Sequence, residues 1–143
     1  MPELHQARMK FKSKRCEERM LLLHPVLIMI FSDLFWFARM RYNKDIIVTD
    51  TVSTASEDAA LGRVSDSHQR GLCLDWSVRN FETHEVLDLV NYINNKPEYQ
   101  RYKYLSNSGV KRIAYFHDNG NGPHVHMGIN KKLQNNIIDV NNL

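Results

Sequence analysis

Leu72-Cys73-Leu74-Asp75-Trp76-Ser77-Val78 alternates without a break, and this period of two marks a β-strand with two distinct faces. Leu72, Leu74, Trp76 and Val78 point one way; Cys73, Asp75 and Ser77 point the other. Burying a carboxylate without a partner is costly, so Asp75 within this strand points to a cation, a hydrogen-bond cage or a metal. Just upstream, Ser65-Asp66-Ser67-His68-Gln69-Arg70-Gly71 reads as the loop feeding the strand, with His68 as a second candidate ligand.

Outward towards the C-terminus, Val110 to Phe116 reads as a strand and Asp118-Asn119-Gly120-Asn121-Gly122 as turn chemistry. Pro123 to Ile129 is then the returning strand. On it His124, His126 and Gly128 share one face, and Val125, Met127 and Ile129 the other. A His-x-His on a strand can be a polar face or a metal site. If this strand neighbours that of Asp75, then Asp75 and His126 converge and His68 joins them from the loop. Three ligands drawn from His and Asp, with one position left for water, are what a catalytic zinc takes.

Outward towards the N-terminus, residues 3–23 contain no Pro or Gly and read as a helix ending at His24-Pro25. Pro25 suits the first turn of a second helix running to about Tyr42, apolar around most of its circumference and therefore central to the core. Asp45 to Thr49 is β-branched and short, a strand, and residues 52–67 read as a loop with a short helical turn. Thr83 can cap a helix from His84 to Asn95, with Val86, Leu89, Val90 and Ile93 on one face. The expected fold is α+β, with N-terminal helices packed on a small, mainly antiparallel sheet whose polar face carries a zinc site. It forms one domain over 1–143, with a core of about 10–129 and a tail over 130–143.

Composition sets bounds on function. At 143 residues, 43% hydrophobic and 24% charged, the chain suits one ordinary globular domain rather than a disordered one. The net charge of +3 is weak, and Glu17 and Glu18 offset the basic N-terminal run, so no nucleic-acid partner is expected. Two cysteines are too few for a disulfide framework; Cys73 reads as a small packing residue, with a Cys16–Cys73 bridge left open. The apolar run from Met20 to Phe31 is shorter than the ~20 residues that span a bilayer. His24 and Pro25 interrupt it and no small-x-small cleavage site follows, so neither a membrane segment nor a clear export signal is expected.

His68-x6-Asp75 followed by His124-x-His126 resembles the metal signature of the zinc D-Ala-D-Ala carboxypeptidase and endopeptidase group, the peptidase M15 family, which cleaves peptidoglycan. His68-x-x-Gly71 and Asp75 fit its first part. Phe11-x4-Cys16 and Leu22-Leu23-His24-Pro25-x-Leu27 are similar to the N-terminal segment of phage members, so the likeness covers about residues 10–129. It implies zinc on His68, Asp75 and His126, with His124 as the catalytic histidine. It also implies an amide of the peptidoglycan stem peptide as substrate. A phage or prophage lysin reaching the wall from the host cytoplasm on lysis, or a virion component, is the implied setting. The chain departs from the signature at Asp66 where Ser is usual, at Cys73 where Ala is usual, in having no arginine within Val48 to Thr54, where members carry one for substrate, and at Pro123, where no acid stands three residues before His126. Arg63 or Arg70 is the candidate replacement. The alternatives are a non-enzymatic zinc module that binds cell wall or stabilises a virion, and a metal-free interaction domain.

Overall fold

The alternating stretch lies at the centre of a five-stranded sheet in the computed structural model, which describes residues 8–106, 108–118 and 122–133. In chain order come β1 (Lys10–Phe11), α1 (Lys14–Glu18), a 3-10 turn (Met20–Leu22), α2 (Pro25–Tyr42), β2 (Ile47–Asp50), α3 (Ala55–Ala60), β3 (Cys73–Ser77) and α4 (Thr83–Asn95). A second 3-10 turn (Pro97–Tyr102) leads to β4 (Tyr104–Leu105), β5 (Lys111–Arg112), β6 (Ala114–Asp118), β7 (Pro123–Gly128) and a last 3-10 turn (Lys131–Leu133). The main sheet has the order β1-β2-β3-β7-β6, and β4 and β5 form a separate pair. Every pairing is antiparallel except β1 with β2. The protein is thus an α+β fold on a mainly antiparallel sheet.

The register explains the two faces. Leu74 stands opposite Met127 and Trp76 opposite Val125. All four are fully buried in one core with Leu27, Ile30, Phe31 and Leu34 of α2 and Leu89 and Ile93 of α4. Each such side chain contributes roughly 1.5–3 kcal/mol on leaving water. α2 begins where expected: Pro25 occupies its first turn, and the His24 ring accepts the Val26 N–H at 3.1 Å. It stops at Asn43, whose left-handed backbone (φ 53°) turns the chain out of the helix.

Several expectations need correction. The long helix over 3–23 does not form among the described residues; residues 3–7 lie outside them. Lys10 and Phe11 instead pair with Ile47 and Val48 as an edge strand, and Ser13 caps a short helix by accepting the Cys16 N–H at 3.2 Å. The α4 cap is Glu82 rather than Thr83: its N–H donates to the Glu85 carboxylate at 2.8 Å, and its carbonyl accepts the Glu85 N–H at 3.0 Å. The strand expected over 110–116 is two, broken between Arg112 and Ala114. Of the expected turn and tail, residues 119–121 and 134–143 lie outside the described residues. The face of β3 that bears Asp75 is not open to solvent, since Cys73 and Asp75 are both buried.

Candidate metal centre

β3 and β7 are neighbours, and their register sets Asp75 directly opposite His126. Asp75 Oδ1 accepts a hydrogen bond from His126 Nδ1 at 2.8 Å. From the other side, His68 Nε2 lies 3.6 Å from Asp75 Oδ2. Two residues along β7, His124 turns its Nε2 to the same oxygen at 3.9 Å. All four residues picked out from sequence therefore meet on one face of the sheet.

The loop before β3 orients His68 through its backbone. The ring donates its Nδ1–H to the Thr51 carbonyl at 2.7 Å, and a ring nitrogen facing a carbonyl must carry the proton. That leaves Nε2 as the atom aimed at the cluster, an arrangement common for metal-ligating histidines. His124 is set likewise, with Nδ1–H on the Gly122 carbonyl at 3.0 Å. The cluster is largely buried, more deeply on the side of His68 and Asp75 than on that of His124 and His126. The His68 and Asp75 side chains are 5% and 7% exposed, those of His124 and His126 15% and 17%.

Two further side chains join the group, and neither was picked out from sequence. The ligand atoms of His68, Cys73 and His126 lie within 4.8 Å of one another, as do those of Asp50, His68 and Asp75. Cys73 is thus more than a packing residue; both cysteines are free thiols, so the Cys16–Cys73 bridge is absent. Its signal was the period of two, which already put Cys73 beside Asp75 on the polar face. Its approach to the histidines depends on β7 being the neighbour, with Gly128 opposite Cys73.

The electrostatics follow from burial against opposite charge. Burial alone would discharge His68 and His126, but the Cys73 thiolate and the Asp75 carboxylate outweigh it. They hold His68 well above the ordinary imidazole range and His126 at about 9. Asp75 is held well below the carboxylate range: burial pushes it up, and the two histidines more than offset that. The Cys73 thiol is likewise raised by burial and, on balance, lowered by the same rings. The Asp75 carboxylate and the Cys73 thiol, both held below their ordinary ranges, thus face two rings whose positive charge a bound cation could replace.

A test of fit is geometric. Ligands about 2.0–2.2 Å from a tetrahedral zinc stand about 3.3–3.5 Å apart. The 3.6 Å between His68 Nε2 and Asp75 is close to that separation. The 2.8 Å between His126 and Asp75 is a direct hydrogen bond, which must open slightly as its proton leaves. Asp75 meets the two rings with different oxygens, Oδ2 towards His68 and Oδ1 towards His126, so the sets whose single ligand atoms all come within a metal's reach are His68 with Cys73 and His126, and His68 with Asp50 and Asp75.

Arg63 anchors the acidic side. α3 is fixed by a capping box of Thr54 and Glu57, and Glu57 also pairs with Arg19 at 2.7 Å. Past α3, Gly62 adopts φ 71° and turns Arg63 back towards the sheet. Its guanidinium meets Asp50 Oδ2 at 2.5 Å, Asp58 Oδ1 at 3.0 Å and Asp75 Oδ2 at 3.1 Å. With three carboxylates it is committed to holding Asp75, and Arg70 pairs with Asp66 at 2.7 Å.

β6 completes the wall. Tyr115 stands opposite His126 and His117 opposite His124, with ring centroids 5.3 and 4.2 Å apart. Tyr104 of the β4–β5 pair lies over the other end, its ring 6.2 Å from that of His126. Gly128 makes this possible: a Cβ there would come within 3.2 Å of the Tyr104 ring. No family model, curated protein or solved structure matches the chain.

Proposed function

We propose that the protein is a zinc-dependent peptidoglycan peptidase, hydrolysing an amide of the stem peptide, and that it serves a phage or prophage as a lysin or virion component. The approach of His68 and His126 to the two oxygens of Asp75, with His124 beside them, carries this reading. Those three residues would hold the ion through His68 Nε2, an Asp75 oxygen and His126 Nδ1. Zinc bound there would supply Lewis acidity towards the scissile carbonyl and would lower the pKa of water towards ~7. His124, oriented by the Gly122 carbonyl, is placed to take and return a proton at Nε2. Arg63 holds Asp75 Oδ2 in place through its 3.1 Å hydrogen bond. The choice of a peptidoglycan amide as substrate rests on the sequence resemblance.

The test is to incubate purified peptidoglycan with the protein. New amine without new reducing sugar ends is expected, abolished by a chelator and restored by zinc. Reducing ends, or amine release indifferent to chelator, would rule the mechanism out.

One observation favours a second reading, a non-enzymatic zinc module. Cys73 lies beside His68 and His126, and a thiolate would close a four-ligand structural site. Replacement of zinc by cobalt separates the two. A strong thiolate-to-cobalt absorption that disappears in Cys73→Ser would support the closed site; a spectrum unchanged by that substitution supports the open one.

A further inference from the structure

The opposite edge of the metal centre holds a cation without an anion. Of the described arginines, Arg15, Arg19, Arg39, Arg41, Arg63 and Arg70 pair with carboxylates. Arg8, Arg79 and Arg101 are exposed. Arg112 is half-buried and has no acidic partner among the described residues. Its guanidinium lies 3.8 Å from the centroid of the Tyr115 ring, the ring that faces His126. Opposite it on β4 stands Tyr104. Arg112 Nε and the Tyr104 hydroxyl are both shut off from solvent, and among the described residues neither makes a hydrogen bond of normal geometry, although the hydroxyl lies close enough to the guanidinium to feel its charge. An unmade bond at a buried polar group costs about 1–3 kcal/mol, so two side by side are unusual without a purpose.

We propose that Arg112, supported by Tyr115 and Tyr104, is a carboxylate-binding subsite that takes a free carboxylate of a peptide held at the metal centre. A carboxylate is planar with two acceptor oxygens. It matches the guanidinium fork and can also accept from a phenol. Stacking on Tyr115 fixes the plane of the fork and holds it one ring's distance from His126. Asp75, Asp50 and Asp58 cannot serve as that anion, because Arg63 and the histidines already engage them. Arg63 in turn is already engaged by three carboxylates. The role of gripping an acidic peptide thus falls to Arg112 on β5, in the separate β4–β5 pair. The inference rests on the peptidase reading for the identity of the ligand.

Calorimetric titration tests it separately from catalysis. The stem peptide L-Ala-γ-D-Glu-L-Lys-D-Ala-D-Ala, and the same peptide with its free carboxylates amidated, are titrated into zinc-loaded protein carrying His124→Ala. The acid form should bind about tenfold more tightly or better, the worth of a charged hydrogen-bonded pair. Adding Arg112→Gln should erase that preference, with zinc content unchanged, and Arg112→Lys should retain part of it. Tyr104→Phe keeps the ring over Gly128 and should lose a smaller part, so the proposal remains testable should Arg112→Gln fail to fold. Equal binding of acid and amide, or a preference that survives these substitutions, overturns the subsite. Zinc-dependent cleavage by the unsubstituted protein, with a carboxylate preference indifferent to Arg112, sinks the subsite and spares the peptidase. An Arg112-dependent preference without cleavage does the reverse.

Discussion

His124 and His126 share a face of β7, yet their inward atoms do different things. His126 places Nδ1 against Asp75 at 2.8 Å, within the cluster, whereas His124 stands off at 3.9 Å and is tied back to Gly122. Under the peptidase reading their substitutions fail differently. His126→Ala, like His68→Ala and Asp75→Ala, should lose stoichiometric zinc by elemental analysis. His124→Ala should keep about one zinc per chain while turnover falls ~100-fold or more, the usual range for removing a general acid–base group. Zinc loss in His124→Ala would mark it as a ligand and the site as closed. The pair was legible in sequence because a strand repeats every two residues. The division of labour was not, since it depends on which atom each ring presents, and backbone carbonyls at Thr51 and Gly122 set that for His68 and His124.

Between elements, a half-buried polar network adds to the shared core of α2 and α4 and ties α2 to the end of α4 and the turn after it. Asp33 of α2 accepts hydrogen bonds from Tyr92 at 2.8 Å and Tyr99 at 2.7 Å, and pairs with Lys96. Phe37 stacks on Tyr92 beside it, centroids 3.7 Å apart. Burial alone would raise the Asp33 carboxyl, but these donors outweigh it and hold it below its ordinary value of 3.8. A group depressed on folding stabilises the fold fully above its unfolded pKa and loses that contribution as pH falls through the folded one. Stability should therefore drop below about pH 4. Asp33→Asn should cost about 1–3 kcal/mol at pH 7 in denaturant melts and flatten that acid limb. An unchanged acid limb in the variant would show that another carboxylate governs it. The helices themselves were legible from apolar periodicity. Their clamp was not, because Asp33 meets residues some sixty positions away.

Across the whole molecule, the proposed centre joins a loop, β3 and β7, so a bound ion would link segments that the unfolded chain leaves apart. Metal binding to the folded state alone contributes about 2.7 kcal/mol at a hundredfold excess over Kd. For a chain of this size that raises Tm by roughly 10 °C. Adding a chelator should lower Tm by a comparable amount, and zinc should restore it; melting curves that coincide with and without chelator would argue against the metal centre. By itself the sequence determined the α+β class, the course of α2 and α4, and the sidedness of β3 and β7. Each follows from local periodicity, which the chain carries residue by residue. Tertiary structure alone decided that β3 and β7 lie side by side with Asp75 opposite His126, that Gly128 opens room for Tyr104, and that Cys73 faces histidines. It alone spent Arg63 on three carboxylates and left Arg112 without one among the described residues. Periodicity tells which way a side chain points, but not what it meets. Pairing between distant segments settles that, and only burial of the shared apolar face selects the pairing.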